Sequence, residues 1–258
     1  MKFALLQTYI RFKENQVNIQ NVEQVLLSLP DDVEVAILPE MFSTGFCPQN
    51  RELAESVSGE TLTILRGIAD KKNIAIVGSF MCREGESLYN RGFFIMPGAL
   101  PVYVDKGHLY AHGGEDACFQ PGRRRTVITY KDVRFRLVIC YDLRFPIWCR
   151  NEKENLYDIL IVVANWPQVR IPYWDILLRA RAIENQAYVL AVNNVGTDLQ
   201  GLHYCGHSTA LDSYLNDVAG FEEDEVGYHI VDLDMGALHT FRNKLPLWRD
   251  IDAFQLVP

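Results

Sequence analysis

The sequence contains no long uninterrupted run of apolar residues. A helix needs roughly 20 predominantly apolar residues to cross a bilayer, and no stretch of this chain approaches that length. The first segment, MKFALLQ at 1–7, reaches a polar residue too early for a secretory signal and lacks a cleavage site. We therefore expect a cytoplasmic protein without a membrane partner, in which this segment forms the first strand.

The sequence also lacks an excess of positive charge. It contains 25 Lys and Arg residues against 33 Asp and Glu residues, for a formal net charge of −8. Nucleic-acid-binding domains present a basic surface to the phosphate backbone, so we expect no nucleic-acid partner. A small anionic substrate is compatible with this charge, because one local arginine or lysine can bind it.

Paired cysteines are missing as well. The six cysteines contain no CxxC pair, whereas zinc sites need ligands clustered at short spacings. A disulfide framework is not expected in a chain of 258 residues without an export signal. We therefore predict free thiols in a reducing compartment, with no metal and no cofactor. The cysteines are Cys47, Cys82, Cys118, Cys140, Cys149 and Cys205.

Apolar periodicity is present throughout the chain and predicts both helices and strands. Apolar residues at helical spacing predict helices over residues 15–29, 61–72, 173–185 and 236–244. Alternating or wholly apolar segments predict strands over residues 2–9, 33–38, 74–81, 88–96, 102–105, 126–130, 133–139, 158–164, 187–192, 208–211 and 226–233. This order indicates an α/β protein with mixed sheets.

Segment 159–164 is apolar at every position, so both faces of this strand must be covered. A four-layer α-β-β-α sandwich satisfies that requirement, with two mixed sheets inside and helices on the outer faces. No low-complexity segment or linker interrupts the chain. We therefore predict that residues 1–258 form a single domain.

Three polar residues follow strand-like segments at the point where each segment ends. Cys140 follows 133–139, Glu40 follows the apolar run 35–39, and Lys106 follows 102–105. Open α/β sheets place their chemistry at the carboxyl ends of strands. Taken singly, the thiol fits a small core residue, the glutamate a helix cap and the lysine a solvated edge. Together the three favour a site.

This trio suits acyl transfer without histidine or metal. A thiol becomes a strong nucleophile when a base removes its proton or a cation lowers its pKa. Glu40 is the candidate base, and Lys106 with the backbone N–H of Tyr141 would stabilise an oxyanion. A cysteine peptidase would instead need a histidine placed by Asn or Asp, and the sequence does not signal such a pairing.

Three segments carry these residues: PEMFSTGF at 39–46, DKGHL at 105–109 and CYDLRFP at 140–146. In this order they resemble the three signatures of the nitrilase superfamily of carbon–nitrogen hydrolases, and the resemblance extends over essentially the whole chain. It implies the α-β-β-α fold, a Glu40–Lys106–Cys140 triad, a thioester intermediate and a homodimer. Glu115 resembles a second glutamate of the family, which implies that it orients Lys106 or contacts the leaving group.

The segments ANWP at 164–167, RARAIENQAY at 179–188 and GHS at 206–208 resemble the bacterial omega-amidase group. This implies hydrolysis of the terminal amide of 2-oxoglutaramate or 2-oxosuccinamate, a small amide that bears a carboxylate. Gly107 and segment 212–217 depart from the pattern, since a basic residue and a Pro-x-Gly turn are usual there. The alternatives are an N-carbamoyl amino acid, deaminated glutathione or a nitrile as substrate, and a non-catalytic protein of the same fold.

Four residues are candidates for substrate binding: Tyr141, Trp166, Phe46 and Arg170. Arg170 could bind a substrate carboxylate through two parallel hydrogen bonds. The alternatives are a surface ion pair for the arginine and core packing for Trp166 and Phe46.

Other polar and aromatic residues are assigned structural roles. We expect Arg144 to pair with Asp142 or Glu184 rather than to contact a ligand. Phe42 suits either the pocket or the core. His108, His112 and His207 are expected in solvated or hydrogen-bonded loops.

Overall fold

A computed structural model describes residues 1–214 and 216–256. Leu215, within the segment where a turn was discussed above, lies outside the described residues, as do positions 257 and 258 of the predicted domain. The helices are α1 (Asn15–Ser28), α2 (Glu60–Lys72), α3 (Pro146–Cys149), α4 (Ile171–Asn185) and α5 (Met235–Lys244). Within the described ranges, no helix is long and apolar enough to cross a membrane.

The strands of the first half are β1 (Lys2–Gln7), β2 (Val35–Ile37), β3 (Ala75–Glu84), β4 (Ser87–Ile95) and β5 (Val102–Asp105). Those of the second half are β6 (Val127–Tyr130), β7 (Val133–Ile139), β8 (Ile159–Ala164), β9 (Tyr188–Asn193), β10 (Val195–Thr197), β11 (His203–Cys205), β12 (Thr209–Leu211), β13 (Asp217–Gly220) and β14 (Gly227–Asp232).

Two six-stranded sheets form the centre of the molecule. Their strand orders are β14-β1-β2-β3-β4-β5 and β13-β12-β9-β8-β7-β6. In the first sheet β1, β2 and β3 are parallel, and in the second β7, β8 and β9 are parallel; the outer strands pair antiparallel. Both sheets are therefore mixed.

Alternation along the strands explains the layering. One buried cluster takes residues from both sheets, including Phe3 and Phe135, and fills the space between them. Helices α1 and α2 cover the outer face of the first sheet through residues such as Leu26 and Leu65. Helix α4 covers the second sheet through Trp174. The predicted four-layer α-β-β-α sandwich is confirmed.

The sequence prediction missed the short strands β10, β11 and β13 and the one-turn helix α3. Each is only three or four residues long, too short to show a periodicity of its own. Strands β10 and β11 form a separate two-stranded hairpin. This hairpin matters for function because its residues line the pocket described below.

The parallel strands place several loops at one edge of the sandwich. Glu40 lies just beyond β2, Cys140 directly follows β7, and Asn165 directly follows β8. A hydrogen bond from the Asn165 N–H to Glu40 Oε2 (2.8 Å) joins the first sheet to the second at this edge. The carboxyl ends of the central strands therefore converge, as expected for a site in an α/β fold.

Candidate active site

The predicted polar residues meet at this edge. Lys106 Nζ lies 2.9 Å from Glu40 Oε1 and 2.8 Å from Glu115 Oε2, and all three side chains are completely buried. Cys140 is half-buried beside them, and its Sγ is 3.8 Å from the carbonyl oxygen of Asn165. Glu115 therefore lies in the cluster and does not face water.

The Cys140 backbone is strained. Its φ is +46°, in the left-handed region, at the start of the one-turn 3-10 helix Cys140–Arg144. Such a conformation costs a non-glycine residue about 1–3 kcal/mol and persists only where surrounding contacts enforce it. The first N–H groups of a helical turn have no acceptor within that turn, so the N–H of Tyr141 suits an oxyanion beside Sγ.

Asp142 supplies the contacts that enforce this turn. Its buried carboxylate accepts hydrogen bonds from the N–H of His108 (2.8 Å), Gly107 (3.3 Å) and Ile139 (3.3 Å). It also contacts His108 Nδ1 at 2.9 Å. One carboxylate thus ties the loop after Lys106 to the nucleophile turn, which fixes the distance between lysine and thiol.

Gly107, one of the departures from the family pattern, has a local steric reason. A Cβ atom there would lie 2.3 Å from the indole ring of Trp148. The space that a side chain would need is filled by Trp148, which also contacts the edge of the His108 ring. A basic residue cannot occupy this position without displacing the tryptophan.

Burial and mutual charge govern the protonation of the cluster. Burial raises the pKa of the Cys140 thiol well above its usual value, and the negative charge of Glu40 raises it further, against the opposing effect of Lys106. Burial also raises the pKa of Glu115 despite the nearby lysine. Burial alone would lower the pKa of Lys106, but Glu115 and Glu40 raise it above its ordinary value.

These pKa shifts give the protonation of the free enzyme. Lys106 is an ammonium. Cys140 is a neutral thiol, which can donate to the Asn165 carbonyl. A neutral thiol needs a base at the moment of attack, and Glu40 is the carboxylate whose negative charge most raises the pKa of that thiol.

Two buried asparagines in the site were missed by the sequence reasoning. Asn90, on β4, donates from Nδ2 to Glu40 Oε1 (2.7 Å) and to Glu115 Oε1 (3.0 Å). Asn165 donates from its backbone N–H to Glu40 Oε2 (2.8 Å) and from Nδ2 to the Glu40 carbonyl (2.7 Å). Asparagine is depleted in strands, so an Asn within the apolar β4 segment was an available signal.

A cavity of about 240 Å³ opens above Cys140 and Lys106. The four predicted substrate-binding residues, Phe46, Tyr141, Trp166 and Arg170, all line it. Further lining residues are Tyr110, His112, Arg144, Asp198, Gln200, Leu202 and Tyr204. The last four belong to the β10–β11 hairpin and its turn, which forms one wall.

The aromatic lining residues hold the cationic ones. Phe46 places its ring 5.5 Å from Lys106 Nζ. The Trp166 indole N–H donates to the Arg170 carbonyl (2.8 Å). The Arg170 guanidinium lies over the Tyr110 ring at 5.4 Å.

The expectation for Arg144 was wrong. Its guanidinium lies 4.7 Å above the Trp166 ring and 5.3 Å from the Tyr173 ring, and it lines the cavity. Asp142 accepts backbone N–H groups instead, and Glu184 pairs with Arg181 at 3.0 Å. Stacking on two rings distant in sequence draws Arg144 into the pocket.

The structure also places Phe42 and the three histidines discussed above. Phe42 packs in the core against Phe93. His108 stacks on Phe145 with ring centroids 3.6 Å apart. His207 pairs with Asp175 at 3.0 Å. His112 is exposed in its loop, as expected, and it also lines the cavity.

Metal-ligand chemistry has no visible basis in the described ranges. Over residues 1–214 and 216–256, no group of three or more His, Cys, Asp or Glu side chains is placed to hold a metal ion. All six cysteines are free thiols.

The whole chain is similar to known proteins of one family. The Carbon-nitrogen hydrolase family model matches residues 2–243. Omega-amidase YafV of Yersinia enterocolitica is 36% identical over 100% of this chain and 99% of its own. The 2-oxoglutaramate amidase of Bacillus subtilis is 29% identical over 97% of this chain and 98% of its own.

Among solved structures, a CN-hydrolase superfamily protein of Xanthomonas campestris superposes with a TM-score of 0.95. It is 33% identical, and the match covers 100% of this chain and 99% of that one. That protein carries an arsenic adduct in its active site. The chain belongs to the carbon-nitrogen hydrolase family, within the nitrilase superfamily. It is a hydrolase of non-peptide carbon–nitrogen bonds, an amidohydrolase.

Proposed function

We propose that the protein hydrolyses the terminal amide of 2-oxoglutaramate or 2-oxosuccinamate through a thioester on Cys140. The observation that carries this proposal is one small cavity with two kinds of group. Cys140 and Lys106 line it beside the buried carboxylates, and the guanidinium groups of Arg144 and Arg170 line it as well. The first set suits amide cleavage, and the second suits a carboxylate at the far end of the substrate.

The first half of the reaction forms the acyl-enzyme. Glu40 takes the proton of the Cys140 thiol as the sulfur attacks the amide carbon. The carbonyl electron pair moves to oxygen, and Lys106 with the Tyr141 N–H stabilises that oxyanion. Glu40 then gives its proton to the amide nitrogen, the C–N bond breaks and ammonia leaves.

The second half regenerates the thiol. Water enters where ammonia left, Glu40 takes one of its protons, and the hydroxide oxygen attacks the thioester carbon. When the C–S bond breaks, the proton held by Glu40 returns to the sulfur and the 2-oxo diacid is released. Glu115 lies 2.8 Å from Lys106 Nζ and orients the cation toward the oxyanion.

Size and charge support this substrate class. Pockets for drug-sized ligands measure roughly 300–1,000 Å³, whereas this cavity measures about 240 Å³. It suits a short, linear molecule. Arginine stacked on an aromatic ring keeps its planar hydrogen-bond donors free for a carboxylate. The similarity to an omega-amidase and to a 2-oxoglutaramate amidase agrees with that choice.

Ammonia release from 2-oxoglutaramate tests the proposal directly. The purified protein is incubated with 2-oxoglutaramate, 2-oxosuccinamate, an N-carbamoyl amino acid, deaminated glutathione and one nitrile. We expect the two 2-oxo acid amides to give the highest kcat/KM. If another compound of this panel is turned over and 2-oxoglutaramate is not, the substrate assignment fails while the chemistry stands.

We also infer that a second copy of the chain covers helix α4, as the family resemblance suggests. Three apolar side chains of α4 are half or more exposed: Tyr173 (56%), Ile176 (66%) and Ile183 (50%). Positions 176 and 183 are two helical turns apart and share one face. Several exposed apolar side chains on one helix suit a protein interface better than bulk solvent.

A further inference from the structure

The two carboxylates of the site share more than one donor. Lys106 Nζ lies 2.9 Å from Glu40 Oε1 and 3.1 Å from Glu115 Oε1. Asn90 Nδ2 lies 2.7 Å and 3.0 Å from the same two oxygens. Two nitrogens and two oxygens therefore alternate around a closed ring, in which the lysine contributes charge and the asparagine contributes two neutral N–H groups.

The orientation of the Asn90 amide is set by the two carboxylates, since an ionised carboxylate can only accept hydrogen bonds. Ser79 Oγ accepts from the Met41 N–H (3.0 Å) and donates its own proton to Asn90 Oδ1 (3.0 Å). Nδ2 therefore faces the carboxylates, and Oδ1 faces the serine hydroxyl. Met41 adjoins Glu40, so the chain of hydrogen bonds returns to the glutamate from which it starts.

The backbone of Asn90 is part of the same assembly. Its carbonyl accepts the N–H of Lys106 at 3.0 Å, which fixes the main chain of the lysine beside the amide. Asn90, Ser79, Glu40 and Glu115 are all fully buried. In such a low-dielectric setting a carboxylate oxygen without a hydrogen-bond donor is destabilising, so each of these donors stabilises the site.

We infer that Asn90 is a positioning residue for the reaction, which holds the carboxylates of Glu40 and Glu115 at a fixed separation so that Glu40 can take the thiol proton. This inference rests on the proposed role of Glu40 as the base. The amide touches neither Sγ nor the cavity, and it acts only through the two carboxylates. Lys106 has a single positive charge for two carboxylates, and Asn90 stabilises the second without adding a further charge.

A pH profile separates this role from simple packing. The titratable groups that face Glu40 are Lys106, Glu115, Cys140 and Tyr204, and a substitution at Asn90 changes none of these residues. Asn90→Leu keeps the approximate volume and removes both donors. Because these donors favour the ionised form, their loss lets the carboxylate pair take up a proton at higher pH.

We expect kcat/KM of Asn90→Leu to fall about 10- to 100-fold at neutral pH, as for lost hydrogen bonds to charged groups. The acid limb of its profile of kcat/KM against pH should move to higher pH by about one unit, with KM little changed. Asn90→Ala, which avoids any clash, should move the limb in the same direction and serves if the leucine variant does not fold. An acid limb at the native position in either folded variant overturns the inference.

The matched control is Asn151, another fully buried asparagine, which hydrogen-bonds Tyr157 and Asn185 away from the cavity. Asn151→Leu should lower stability and leave the acid limb unmoved. The profiles are measured with whichever amide the native protein turns over, and Glu40→Gln is run beside them. Turnover of another amide in place of 2-oxoglutaramate therefore counts against the substrate proposal alone, and an active Glu40→Gln counts against the base itself.

Discussion

The backbone N–H of Asn165 donates to Glu40 Oε2 at 2.8 Å, across the interface between the two sheets. Asn165 directly follows β8 of one sheet, and Glu40 lies beyond β2 of the other. The carbonyl of the same asparagine lies 3.8 Å from Cys140 Sγ. One residue thus fixes the candidate base and the candidate nucleophile relative to each other, so the packing of the two sheets determines the geometry of the reaction.

The first prediction concerns the protonation of Cys140. Burial and the Glu40 charge raise the pKa of the thiol, so the free enzyme should hold a neutral thiol, and no thiolate, at neutral pH. We expect the thiolate absorbance at 240 nm, taken as the difference between native protein and Cys140→Ala, to be absent at pH 7 and to rise only in alkali. A full thiolate signal at neutral pH would contradict the base role of Glu40.

The second prediction concerns the acyl-enzyme. Cys140→Ala should lose at least about 10⁴-fold in kcat, as expected when a covalent nucleophile is removed. Mass spectrometry of native protein quenched during turnover should find an acyl adduct on Cys140. Cys149 is the matched control, because it is a buried thiol outside the cavity. Cys149→Ala should keep the adduct, and an adduct that persists in Cys140→Ala refutes the assignment.

The third prediction concerns the steric limit at Gly107. Gly107→Ala would place Cβ 2.3 Å from Trp148, and such overpacking costs typically about 1–3 kcal/mol. We expect a lower urea midpoint of unfolding and reduced activity, because the loop also carries Lys106. The control is Gly67→Ala in α2, where a Cβ meets nothing within 4 Å. That change should stabilise the protein by up to about 1 kcal/mol.

The fourth prediction tests pairing through α4. Ile176→Asp puts a charge on the exposed apolar face of the helix, where Ile176 is 66% exposed. If a second copy covers this face, the variant should elute as a monomer in size-exclusion chromatography with light scattering, and the native protein as a dimer. The control is Leu100→Asp, because the Leu100 side chain is 82% exposed and lies outside α4. A native protein that runs as a monomer at micromolar concentration contradicts the proposal.

Much of the fold follows from periodicity. The two apolar patterns located most helices and strands, and the ends of β2, β5 and β7 pointed to Glu40, Lys106 and Cys140. Glu115 required the family resemblance, because it lies in a loop whose path no local pattern describes.

Long-range contacts explain what the sequence did not reveal. Asn90 lies 50 positions from Glu40, and its importance comes from hydrogen bonds that exist only after the sheets form. Arg144 was assigned a carboxylate partner because Asp142 is near in sequence. Its observed partners, Trp166 and Tyr173, are brought to it by the fold.

The fifth prediction asks which arginine binds the substrate carboxylate. The Arg144 guanidinium lies against the rings of Trp166 and Tyr173, whereas that of Arg170 lies over the ring of Tyr110. Loss of a charge-assisted, bidentate contact costs about 1.5–3 kcal/mol, so replacing the binding arginine with glutamine should raise KM about 10- to 100-fold.

Arg144→Gln and Arg170→Gln are each measured with 2-oxoglutaramate and with a short amide that has no carboxylate. A carboxylate contact predicts a loss confined to the acidic substrate, since the uncharged amide has no partner for the guanidinium. We expect the larger loss at Arg144, because its two stacked rings hold the guanidinium in place before substrate binds. Equal losses on both amides would mean that the arginines maintain the pocket walls and that other groups recognise the carboxylate.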